Sequence, residues 1–145
     1  MRLHSHRTTT PDSNTDFLRR YARRLLRSAH SPQPSIALPI LRRVHSAQAS
    51  ASTHLTELYQ ARQTLQLKHM FRTLAHELGY ADWDACKRDI DRRPSEMLDR
   101  FRLELGAFGD YQQIWFADTS TAAEWRQQHG GRMVVYGKQA VVMAA

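Results

Sequence analysis

Apolar residues recur at helical spacing through roughly the first hundred positions and then switch to alternation. Phe17, Leu18, Tyr21, Leu25 and Leu26 form one stripe, which predicts a first helix over Asp16 to Ala29, capped by Asn14 or Thr15. The stretch Ser31-Pro32-Gln33-Pro34-Ser35 breaks it, because proline lacks an amide proton and restricts the residue before it. A shorter second helix is expected from Pro39, with Ile40, Leu41 and Val44 inward and Arg42 and Arg43 outward. A third is expected from Thr53 to Leu78, broken or bent near Thr64, with Leu55, Leu58, Leu65, Met70, Leu74 and Leu78 among its buried positions. Gly79 suits its left-handed stop. Asp82 is expected to cap a fourth helix, Trp83 to Ile90, and Tyr80 and Trp83 to pack back on the third. Ser95 is expected to cap a fifth, Glu96 to Leu105.

Beyond Gly109 the period changes. Gln112 to Ala117 reads as a strand. Thr121 and Glu124, three apart, read as a capping box opening a helix to His129, which Gly130-Gly131 stops. Met133–Tyr136 and Gln139–Val142 read as a hairpin around Gly137-Lys138, with glycine placed for a type II′ turn. The intervening helix would set the Ile114 and Val134 strands parallel, with a right-handed crossover, if they share a sheet. The expected fold class is therefore α+β: a mainly helical body of about five helices followed by a small C-terminal β-α-β-β unit. The expected organisation is a flexible tail over 1–14, a basic helical segment over 15–50, and a single compact domain over 51–145.

Charge changes this picture. The net charge is +7 over 145 residues. Residues 1–50 hold nine arginines against Asp12 and Asp16, whereas residues 51–145 hold twelve basic and twelve acidic side chains. The whole excess thus sits in the first third, a bias that points to a polyanion, either nucleic acid or a membrane surface. The competing reading is a solvated arginine face that serves solubility. No apolar run approaches the roughly 20 residues that span a bilayer. Met1 to Arg7 has no apolar stretch behind its charges, so a secretory leader is not expected. The single cysteine, Cys86, rules out an intrachain disulfide and fits a reducing cytoplasm.

Residues Leu67 to Lys87 hold a recognisable pattern: an alanine-bearing helix, then Gly79-Tyr80, two residues, Trp83, and Lys87 four residues on. This segment resembles a short helical module of small uncharacterised bacterial proteins, also seen ahead of ankyrin-type repeats and in proteins labelled glyoxalase-superfamily. Trp115-Phe116-Ala117 through Gly130-Gly131-Arg132 to Val135-Tyr136-Gly137 is similar to the ends of other such proteins. The resemblance implies no activity. The residues themselves read as a helix corner, with Gly79 turning the chain and two aromatics locking it.

Motifs for chemistry are sparse. His76-Glu77 opens like a zinc-protease helix, but Tyr80 stands where the second histidine is needed. His69, His76 and Cys86 have no recognised metal-ligand spacing, so no metal or other cofactor is expected; His4 and His6 would hold a metal only loosely. Cys86 reads as a buried structural thiol, with nucleophile as the alternative. No nucleophile elbow, P-loop or dinucleotide fingerprint appears, and no catalytic residue is expected. Trp115 and Phe116 fit either an alternating core or a base-stacking platform.

Three non-enzymatic readings follow. In the first, the protein binds nucleic acid or acts as a regulatory accessory through Arg19, Arg20, Arg23, Arg24, Arg27, Arg42 and Arg43, which would neutralise phosphates without reading bases. In the second, it is an interaction module that docks another protein or a second copy through its helical surface or a sheet edge. The third lays the first helix on a membrane surface through Phe17, Leu25 and Leu26.

Overall fold

A computed structural model describes residues 12–109 and 111–144. The fold is α+β, with a helical body and a small antiparallel three-stranded sheet at its C-terminal end. The chain divides into two compact units, up to Arg93 and from Pro94 onward. The Arg-rich segment 15–50 lies in the first unit together with residues 51–93. The expected tail lies outside the described residues as far as residue 11.

The first unit is built on α1 (Asn14–Ala29), which packs on α2 (Pro34–Ser46) and on α4 (Leu67–Glu77). Leu18, Tyr21, Ala22, Leu25 and Ala29 are buried along α1, so its stripe is core. Its cap is Ser13, whose hydroxyl accepts from the Asp16 amide, rather than Asn14 or Thr15. Those two residues lie inside the first turn and tie it to distant chain. The Asn14 side-chain amide donates to the carbonyls of Ile90 and Arg93, and the Thr15 amide donates to Asp91. A pattern of periodicity and caps cannot reveal bonds to residues some 76 positions away.

α2 begins at Pro34, not Pro39: Pro34 takes the first helical turn and Pro39 is accommodated inside, exposed. The expected third helix is broken near Thr64 into two, α3 (Leu55–Gln60) and α4, joined by a 3-10 turn over Arg62–Thr64. That turn is held to the end of α1, with Arg62 donating to the Ser31 carbonyl and Gln63 to that of His30. Gly79, at φ +89, reverses the chain into α5 (Trp83–Asp89), which Asp82 caps. The Trp83 ring stacks on Phe71 of α4 at 4.4 Å, as expected, while Tyr80 donates to Asp89 at the end of α5. A 3-10 turn, Ile90–Arg92, closes the unit.

The second unit opens with a 3-10 turn, Ser95–Leu98, that runs into α6 (Asp99–Glu104), in place of one helix capped by Ser95. Strands β1 (Gln112–Phe116), β2 (Arg132–Tyr136) and β3 (Gln139–Ala144) follow, with α7 (Thr119–His129) between the first two. α7 is capped by Asp118, which accepts from the Thr121 amide, so the Thr121/Glu124 box is not the start. The order is β1-β3-β2, with β3 antiparallel to both neighbours. β1 and β2 therefore run parallel, as expected, but β3 lies between them. Tyr136 pairs with Gln139 across a two-residue turn, and positive φ at Gly137 alone fits the II′ form.

The central position of β3 explains its sequence. Ala140 and Val142 pack on Ala122, Phe116, Trp125 and Met133 on one side, while Val141 and Met143 pack on Phe108, Val134 and Leu103 on the other. A strand with both faces covered reads as a continuous apolar run. Gly131 is required where β2 begins: its φ is +105, and a Cβ there would stand 2.7 Å from the Met143 carbonyl oxygen. Asp99, 1% exposed, receives Arg132 at 2.6 and 2.8 Å and Arg102 at 3.0 Å.

Candidate nucleic-acid interface

At about 100° per residue, the buried positions of α1 fill one side of the helix. Arg20, Arg23 and Arg27 fall on the side opposite, flanked by Arg19 and Arg24. All five are exposed. The arrangement follows from the sequence, because arginines four apart stack along the same face, 19 with 23, 20 with 24 and 23 with 27. Arg19 lies 3.8 Å from Asp16, and Arg20 pairs with Asp12. Both acids are more than half exposed, so these pairs are weak and readily exchanged for another anion. Arg23, Arg24 and Arg27 make no ion pair among the described residues.

The arginines of α2 divide. Arg42 is exposed and makes no ion pair among the described residues. Arg43 is engaged: Nε and Nη2 donate to Glu77 at 2.9 and 2.7 Å, and Nη1 donates to the Tyr21 hydroxyl. Its side chain is 18% exposed. Arg43 therefore joins α1, α2 and α4, and a phosphate would have to displace a bidentate carboxylate to reach it. Sequence spacing made it look like its neighbour Arg42, because the partner carboxylate is 34 residues away.

Other candidate residues resolve as packing. Cys86 is fully buried, and burial, with Asp89 and Asp91, pushes its thiol up to about 11. It is thus a neutral thiol near pH 7. His69 accepts from the Gln66 amide at Nδ1, closing the start of α4, and burial lowers its pKa. Burial, then the bond to Asp89, raises the Tyr80 hydroxyl to about 12. Among the described residues no group of three His, Cys, Asp or Glu stands ready for a metal, and no helix is long and apolar enough to cross a membrane. Phe116 turns inward against Trp125, whereas Trp115 is 46% exposed and meets Tyr136 edge-on at 6.0 Å.

A cleft of about 410 Å³ in the second unit was not foreseen from the sequence. Phe108, Tyr111, His129 and Arg132 line it, together with the end of β3. No motif joins those residues; the insertion of β3 between β1 and β2 does. No protein-family model, curated protein or solved structure matches the chain.

Proposed function

We propose that the protein binds nucleic acid through the arginine face of α1, as an accessory or regulatory factor without catalysis. The observation that supports this reading is five exposed arginines on the side of α1 opposite its buried face. The helix is anchored through that buried face, so the guanidinium groups are presented from a fixed support. Arginine suits phosphate because its planar fork donates in pairs. Arg42 is an additional exposed cation; Arg43 is left out because it is held by Glu77. The exposed face of α1 carries no asparagine or glutamine to read adenine, and its arginines are assigned to phosphates rather than to base edges. Of the residues the membrane reading needs, Leu25 is buried and Phe17 and Leu26 are half-buried, which argues against it, since an interfacial helix needs that stripe for lipid.

The test is fluorescence anisotropy with labelled duplex and single-stranded oligonucleotides of unrelated sequence. The comparison is the full chain against Arg20→Gln/Arg23→Gln/Arg24→Gln/Arg27→Gln. Substitution serves better than deletion here, because removing α1 would remove core residues. Sequence-independent binding that is lost in the variant supports the reading; equal binding by both proteins contradicts it.

A second reading, docking of another protein or a second copy, has its own observation. β1 and β2 each pair on one side only, and β1 holds no charged residue or proline to guard its open edge. Sedimentation velocity tests it: a concentration-dependent dimer abolished by Ile114→Lys would favour this reading.

A further inference from the structure

We propose that the cleft of the second unit binds one unpaired nucleotide, its base stacked on Tyr111 and Arg132 and hydrogen-bonded to His129. This rests on the nucleic-acid reading and adds a preference for single strands to it.

The cleft's volume of about 410 Å³ lies within the range of small-molecule sites, roughly 300–1,000 Å³. Its walls are both aromatic and polar. Tyr111 is 50% exposed, and its hydroxyl makes no hydrogen bond among the described residues. The Arg132 guanidinium lies 5.5 Å over the Phe108 ring. Nε and Nη2 are fixed by the buried Asp99 carboxylate, which is shared with Arg102. The side chain remains 46% exposed. A guanidinium immobilised in this way is a flat, cationic stacking surface that loses little freedom when a base lands on it. Bases splayed from single strands are held by aromatic rings and by arginine planes.

His129 supplies a directional contact. Its Nδ1 lies 3.0 Å from the Trp125 carbonyl oxygen, and its ring stacks on Trp125 at 4.2 Å. A carbonyl only accepts, so Nδ1 donates to it, and in that tautomer Nε2 is left as an acceptor. An acceptor fixed beside a stacking surface matches the amino or imino donors on a base edge. Gly131, which no larger residue can replace without striking β3, brings the end of α7 and the start of β2 against the end of β3 and so sets the cleft's shape.

The experiment is a titration of the full-length, 15N-labelled protein with adenosine, guanosine, cytidine and uridine 5′-monophosphates, with inorganic phosphate and ribose 5-phosphate as controls. Saturable shifts are expected at Tyr111, His129, Arg132 and the end of β3 with at least one nucleotide, and with neither control. Tyr111→Ala and His129→Ala replace exposed side chains and should leave the remaining spectrum in place while weakening binding by roughly tenfold or more. The four-arginine variant of α1 should bind the mononucleotide as the unaltered chain does, so failure of the phosphate interface and failure of the cleft are told apart. The proposal is overturned by any of three results: no saturable shift up to about 10 mM nucleotide, shifts that phosphate alone reproduces, or shifts that survive in both single variants.

Discussion

Residues up to Arg93 hold sixteen Lys and Arg against eight Asp and Glu, a net of +8, whereas those from Pro94 onward hold five against six, a net of −1. Yet each unit contains an arginine–carboxylate fork whose carboxylate is largely or fully buried. Arg43 meets Glu77 in the first, and Arg132 meets Asp99 in the second. Among the described residues, four of the five large apolar side chains left exposed, Met97, Tyr111, Trp115 and Val135, belong to the second unit. What separates the two units is thus their surface: uncompensated cations on one, aromatic and aliphatic groups on the other. Arg43 is paired inside, whereas the five arginines of α1 are exposed and at most weakly paired.

The contrast between enclosed and exposed charge can be broken by mutation. Asp99→Ala should have the largest effect, a loss of about 3 kcal/mol in chemical denaturation, because it leaves Arg102 and Arg132 without their shared carboxylate. Glu77→Ala should cost somewhat less, about 2 kcal/mol, since Glu77 is 14% exposed against 2% for Asp99. Asp16→Ala, at an exposed pair, should change stability by under about 0.5 kcal/mol. If the three variants were equally stable, the distinction between internal and available arginines would collapse.

Acid provides a further probe of the first unit. The folded pKa of His69 is lowered, so the unfolded chain takes up a proton more readily. Its contribution to stability is present above about 6.5, the unfolded value, and is lost as pH falls through the lower folded value. Protonation also converts Nδ1 from acceptor to donor and breaks the bond from Gln66. Denaturation midpoints of the unaltered chain should fall between pH 7 and 5 more steeply than those of His69→Asn. One expected effect is a gain. Gln48 follows α2 at φ +52, where glycine is unstrained, so Gln48→Gly should raise stability by about 0.5–1 kcal/mol in thermal unfolding.

The fold class was legible because the period changes once, near Gly109, and because α1, α5 and the hairpin announce themselves through stripe, cap and turn residues. The rest was hidden by contacts distant in sequence. Asn14 and Thr15 look like caps but bond to residues 90–93. Pro39 looks like a helix start, yet Pro34 already supplies one. Of the seven arginines singled out, the spacing rightly placed the five of α1 on an exposed face. It gave no sign that Arg43 is matched by Glu77, nor that Tyr111, His129 and Arg132 share a cleft.

The most direct test of the available-arginine account is the salt dependence of nucleic-acid affinity, measured for the unaltered chain and for the four-arginine variant on one oligonucleotide. Each phosphate contact contributes about −0.9 to the slope of log K against log salt on duplex DNA, or about −0.7 on single strands. The account predicts a steep slope for the unaltered chain, and one shallower by roughly 3 units, with weaker binding, for the variant. Superimposable lines for the two proteins would contradict it.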